Sequence, residues 1–189
     1  MRNILYLHGF CASSQSWKAQ IVKQKMAQMG LSQHFFCPDL HFQPKKAIQQ
    51  VVEMVEKHQP IGIIGSSLGG HYASVVAEKY DLPAVLINPA VIANIDLALF
   101  LGEHKNFYSA QKFLFTESDA IDLKNQIVLP NPKRYWLLQE LGDEVLNPTD
   151  AQQWFQGAKT TLFAGGNHSF SRFEECVDEI LAWIDNFPR

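Results

Sequence analysis

Ile61-Gly62-Ile63-Ile64-Gly65-Ser66-Ser67-Leu68-Gly69-Gly70 combines an apolar run, a glycine-flanked serine and the start of a helical pattern within ten residues. Ile61 to Ile64 is a short apolar run that starts just after Pro60, the pattern of a buried central strand. From Leu68 to about Tyr80 the apolar residues Leu68, Tyr72, Val75 and Val76 recur at helical spacing. Between the two lies a G-x-S-x-G turn, Gly65 to Gly69. A strand that reverses into a helix this quickly holds the central serine in a strained backbone conformation, with its hydroxyl raised above the sheet. Side chains at Gly65 and Gly69 would collide with the neighbouring strand and helix, so glycine is expected at both. Chance alone produces such a motif in about one chain in twenty of this length. Its position between an apolar strand and an amphipathic helix gives it weight, and Ser66 sits one position early for the turn.

Working outward, the same alternation repeats. Ile4 to Leu7 reads as a strand ending in His8-Gly9, and Trp17 to Met29 as a helix burying Ile21, Val22, Met26 and Met29. Phe35-Phe36-Cys37 is a short strand stopped by Pro38, followed by a helix from about Lys45 to His58 with Ile48, Val51, Val52 and Val55 on one face. Further strands are expected at Ala84–Ile87, closed by Asn88-Pro89, at Tyr135–Leu138, ending near Gly142-Asp143, and at Thr160–Phe163, ending at Gly165-Gly166-Asn167-His168. A last helix from about Arg172 buries Phe173, Val177, Ile180, Leu181 and Ile184. Strands alternating with helices predict an α/β fold: a three-layer α/β/α sandwich around a mainly parallel sheet of about six strands, in one domain over residues 1–189. Residues 91–132 break the rhythm and carry Phe100, Phe107, Tyr108, Phe113 and Phe115. Two readings stand: a small cap-like excursion over the site, or crossover helices packed on the sheet.

Bulk properties narrow the function classes. Hydrophobic residues make up 47% and charged residues 19%, which predicts a packed globular chain rather than a disordered one. A net charge of -3 without a basic cluster gives no footprint for nucleic acid or an anionic membrane. Cys11, Cys37 and Cys176 are odd in number, widely spaced and free of any CxxC pair, so neither a disulfide framework nor a zinc site is expected. No segment approaches the ~18 apolar residues of a membrane span. The N-terminal apolar run is too short for a signal peptide and is interrupted by His8-Gly9, which makes the cytoplasm the expected compartment.

In an open parallel sheet, ligands bind beyond the carboxyl ends of the strands. There the sequence places His8-Gly9-Phe10, then Ser67, then Asp143, then His168. A serine hydroxyl needs a base to become a nucleophile, and imidazole suits the task because its ordinary pKa, about 6.5, lies near working pH. Of seven histidines, His168 is the candidate, since the loop after the last strand can swing over Ser67. His71 should point along its helix and His8 should shape the loop after the first strand, while His34, His41, His58 and His104 sit in no catalytic context. The imidazole needs an anionic partner to set its tautomer. Asp143 is the candidate and Glu144 its main rival, with Asp150 weaker and Asp119 and Asp122 expected in loops or caps. Oxyanion donors should be the backbone N–H of Leu68, at a helix N-terminus, and that of Phe10, with Cys11 as the alternative. Cys11 reads better as a small residue lining the site than as a reactive thiol.

Tyr6-Leu7-His8-Gly9-Phe10, Gly65-Ser66-Ser67-Leu68-Gly69-Gly70, Gly142-Asp143-Glu144-Val145 and Gly165-Gly166-Asn167-His168-Ser169-Phe170 span nearly the whole chain. On these motifs the sequence resembles the α/β-hydrolases, and more narrowly the small bacterial esterases of the YqiA-like group. The order Ser67, Asp143, His168 matches the chain order of that plan. The resemblance implies hydrolysis of carboxylic esters or thioesters through an acyl-enzyme, with no metal and no organic cofactor. Two departures matter. The N-terminal strands of larger relatives have no room before Ile4, and no lipase-type lid domain is evident, so a shallow, partly open site for short or medium acyl groups is expected. The alternatives are an acyl-CoA thioesterase, with Lys45-Lys46 or Lys133-Arg134 as candidate phosphate contacts, a peptidase or amidase using the same three residues, and a binding protein that has kept the fold and lost the chemistry. The expected partner is a small acyl ester or thioester; oligomeric state is left open.

Overall fold

The computed structural model describes residues 2–188, so Met1 and Arg189, at the ends of the expected domain, lie outside the described residues. In chain order, β1 (Ile4–Leu7) leads through α1 (Trp17–Gln28) to β2 (Phe35–Phe36), α2 (Pro44–His58) and β3 (Gly62–Ser66). Then come α3 (Leu68–Tyr80), β4 (Ala84–Ile87), β5 (Gly102–Lys105), β6 (Lys112–Phe115) and α4 (Glu117–Lys124). The chain closes with β7 (Tyr135–Glu140), α5 (Pro148–Trp154), β8 (Lys159–Phe163) and α6 (Phe173–Asp185).

Six strands form one parallel sheet in the order β2-β1-β3-β4-β7-β8. The four inner strands β1, β3, β4 and β7 are buried throughout because both faces are covered, and successive side chains go to opposite layers. Leu5, Leu7, Ile63, Leu86, Tyr135 and Leu137 pack with Val51 and Val55 of α2 and Tyr72 and Val76 of α3. Ile4, Tyr6, Ile64, Val85, Trp136 and Leu138 pack on the other side with Val22 and Met26 of α1 and Phe173, Val177, Ile180 and Ile184 of α6. This is the expected three-layer sandwich with its six strands. Leu68 and Val75, expected in the buried stripe of α3, are only half-buried, and Leu68 is so because it borders a cavity.

Residues 91–132 hold two short 3-10 turns, the antiparallel hairpin β5–β6 and α4, whose N-terminus is closed by a capping box between Thr116 and Asp119. The hairpin strands were not expected. Gly102-Glu103-His104-Lys105 alternates half-buried and exposed residues with no apolar run to betray a strand. The hairpin is fastened to the loop after β1: the Phe107 N–H donates to the Cys11 carbonyl at 2.8 Å, and Asn106 Nδ2 to that of Ala12 at 2.8 Å. The Phe10 ring meets Phe100, His104, Phe113 and Phe115 edge-on.

Candidate active site

The sheet order reverses direction at β1, so a crevice opens between the carboxyl ends of β1 and β3. Ser67 stands at the end of β3 with φ 54° and ψ -123°, a conformation rare for a residue with a side chain. Two close approaches make this turn. A Cβ on Gly65 would lie 2.5 Å from the Gly69 carbonyl oxygen, and one on Gly69 would overlap the carbonyl oxygen of Leu7. Only glycine lets α3 start this close to β1 and β3.

The structure brings Ser67, His168 and Asp143 into one hydrogen-bonded chain. His168 Nε2 lies 3.0 Å from Ser67 Oγ. His168 Nδ1 lies 2.8 Å from Asp143 Oδ2 and 3.0 Å from Oδ1. With the carboxylate accepting, Nδ1 carries the proton and Nε2 is free to accept one from the serine. Burial pushes the Asp143 carboxyl up, but the hydrogen bond from His168 and the N–H groups of Leu146, at 2.8 Å, and Val145, at 2.9 Å, outweigh it and hold the group below the usual carboxylate range. Glu144, the rival acid, instead accepts the backbone N–H of His168 at 2.9 Å, and Asp150 lies in the first turn of α5.

The remaining candidates are placed as follows. His8 donates from Nδ1 to the Gly9 carbonyl at 2.9 Å and accepts the Leu40 N–H at Nε2, 3.0 Å away. Both ring nitrogens are thus spent on the loop, and burial lowers its pKa, favouring the neutral ring. His71 is buried on α3, its pKa pushed down to about 4. Burial pushes the Cys11 thiol up to about 11, which removes the thiolate a reactive cysteine needs. Lys133-Arg134 precede β7, at the end of the sheet opposite Ser67, and Arg134 is paired with Glu78 and Asp81.

Three supporting residues escaped sequence reasoning. Asn88, at the end of β4, donates from Nδ2 to the carbonyls of Asn167 and His168 at 3.1 Å each, and its Oδ1 accepts the Glu140 N–H at 3.1 Å. Glu140, fully buried at the end of β7, accepts from the Asn167 N–H at 2.7 Å, Ser171 Oγ at 2.8 Å and the Arg172 N–H at 3.1 Å. Burial raises its pKa, but these donors prevail and hold it low. Lys18, on α1, reaches the Ser169 carbonyl at 2.6 Å. The one signal in the sequence was a polar residue closing an apolar strand, at Asn88 and again at Glu140.

A cavity of about 250 Å³ opens at Ser67 and His168. Phe10, Leu68, Ile95 and Phe100 line it, and it reaches the buried side chains of Leu97, Phe115 and Leu123. Ile92, Ile95, Leu97, Phe100, Phe115 and Leu123, all from residues 91–132, form much of its wall. Among the described residues, no cluster of His, Cys, Asp and Glu is arranged to hold a metal ion, and no helix is long and apolar enough to cross a membrane.

Solved structures share this architecture. Est1E from Butyrivibrio proteoclasticus is 12% identical with a TM-score of 0.72, over 97% of this chain and 86% of its own. Alpha/beta hydrolase domain-containing protein 10 from mouse is 16% identical with a TM-score of 0.71, over 98% and 90%. A monoacylglycerol lipase from Paleococcus ferrophilus is 14% identical with a TM-score of 0.66, over 98% and 94%. At such identities the likeness concerns the fold, which is that of the α/β-hydrolases. The model of the uncharacterised protein family UPF0227 matches residues 3–185, and the chain, in keeping with its YqiA-like motifs, belongs to that family.

Proposed function

We propose that the protein is a serine hydrolase that cleaves carboxylic esters through an acyl-enzyme on Ser67. The observation that carries this reading is the unbroken chain from Ser67 Oγ through His168 to Asp143. His168 Nε2 takes the hydroxyl proton as Ser67 attacks the ester carbonyl. The oxyanion is received by the N–H groups of Leu68, at the N-terminus of α3, and Phe10, in the loop braced by the hairpin. His168 then gives the proton to the leaving alcohol, and a water activated by the same nitrogen releases the acid. Asp143 holds the ring and stabilises the imidazolium. The apolar cavity takes the acyl chain, and its volume favours medium over very short chains.

For the alternative, an acyl-CoA thioesterase, the Lys133-Arg134 pair is remote from Ser67 and Arg134 is engaged by carboxylates, which leaves Lys45-Lys46, in the first turn of α2, as the candidate phosphate contact. The monoacylglycerol lipase of similar fold fits the esterase reading.

The test is labelling with a fluorophosphonate, which phosphonylates a serine activated by its own base. Wild type should label on Ser67 by mass mapping, and Ser67→Ala should not label. Folded wild type that stays unlabelled would return the site to a binding role without chemistry.

A further inference from the structure

Lys18 is a lysine in the wrong environment for its charge. Only 7% of it is exposed, and its side chain runs from α1 under the loop that carries His168. Its one hydrogen bond, at 2.6 Å, goes to the carbonyl of Ser169, the residue after the proposed base. Among the described residues its ammonium makes no direct ion pair. The charged groups that act on it are Glu140 and Asp143, both from the β7 end, and the Trp17 ring lies 5.5 Å from Nζ. Burial pushes its pKa down to about 8, so near neutral pH the side chain still carries its proton at a real desolvation cost. A methionine of similar length would fill the space without that cost.

The loop that Lys18 meets is already held from three other directions, one of them Glu144, which takes the N–H of His168. Asn88 takes the carbonyls of Asn167 and His168, and Glu140 takes the N–H of Asn167 and the groups of Ser171 and Arg172. Ser169 lies between those anchors, and among the described residues its carbonyl is held by Lys18 alone. We infer that Lys18 is a positioning residue for His168: its ammonium pins the Ser169 carbonyl, holding the imidazole within reach of Ser67. This rests on the proposed role of His168, but the clamp itself can be measured without activity.

The experiment compares wild type with Lys18→Met, Lys18→Gln and Lys18→Arg. Hydrogen–deuterium exchange by mass spectrometry reads the loop, the rate of fluorophosphonate labelling reads Ser67, and p-nitrophenyl butyrate gives kcat and KM. In Lys18→Met the exchange of a peptide covering residues 165–170 should rise while peptides of the central sheet stay as in wild type. Labelling rate and kcat should fall at least tenfold together, with KM within twofold. Lys18→Arg should recover most of both, since a cation returns to the same place. If Lys18→Met does not fold, Lys18→Gln, which keeps a donor without the charge, carries the same comparison. Unchanged loop exchange and unchanged labelling would overturn the inference. So would a loss of protection spread over the whole chain that Lys18→Arg fails to restore, the mark of core packing alone. Wild type that never labels would sink the hydrolase reading instead, while loop exchange would still decide whether Lys18 clamps the loop.

Discussion

Two adjacent carboxylates, Asp143 and Glu144, both bond to His168, one to the ring and one to the backbone. The difference predicts unequal mutants. Asp143→Asn presents the ring with an amide that can favour the wrong tautomer, and kcat should fall by about 10³–10⁴-fold. Glu144→Gln keeps an acceptor for the N–H of His168, and the loss should stay below about tenfold, the worth of one ordinary hydrogen bond. Steady-state kinetics on a p-nitrophenyl ester separates them; equal losses would mean that the two acids share the role. Sequence left this choice open because both residues follow the same strand, and one residue's difference along a turn reverses which carboxylate faces the imidazole. The same limit applied to Glu140 and Lys18, whose partners lie 27 and 151 positions away in the chain.

Elements position these residues through contacts with little slack. The start of α3 touches β1 through Gly69, so Gly69→Ala should cost about 1–3 kcal/mol by forcing the helix off the carbonyls of Leu7 and His8. Thermal unfolding would record it as a lower Tm, and a variant as stable as wild type would mean that the turn adapts freely. α4 closes the deep end of the cavity with Leu123. Leu123→Trp should therefore shift the preferred p-nitrophenyl ester to shorter chains while fluorophosphonate labelling of Ser67 persists. A chain-length profile that does not move would place the acyl chain elsewhere. The strands and helices of the sandwich were legible because each carries a long apolar stripe or run. The β5–β6 hairpin was not, since its four-residue strands have one half-buried face and owe their stability to the aromatic side chains around Phe10.

Across the whole molecule, buried charge ties stability to pH. Asp143 and Glu140 both sit below their ordinary values in the folded protein. The unfolded chain therefore binds more protons in mildly acid solution. The stability these two groups contribute is complete above their unfolded pKa values, about 3.9 and 4.3, and is lost as pH falls toward the folded ones. Burial also lowers the pKa values of His8 and His71, so urea midpoints should begin to drop below about pH 6.5 and drop further below about pH 4.5, and Glu140→Gln should lower stability at pH 7 while flattening the lower part of that slope. An unchanged slope would show that Glu140 is not held low. The amino-acid sequence by itself determined the α/β sandwich, the six-stranded sheet and the Ser67 turn, because each depends on apolar periodicity or on glycine within a few neighbouring residues. It also brought His168 and Asp143 to the same edge of the sheet, since parallel strands put all their carboxyl ends together. Which carboxylate meets the imidazole, which side chains wall the cavity and what braces the His168 loop follow from the packed fold. Those outcomes rest on distances of about 3 Å between residues far apart in the chain, and packing, not local pattern, sets such distances.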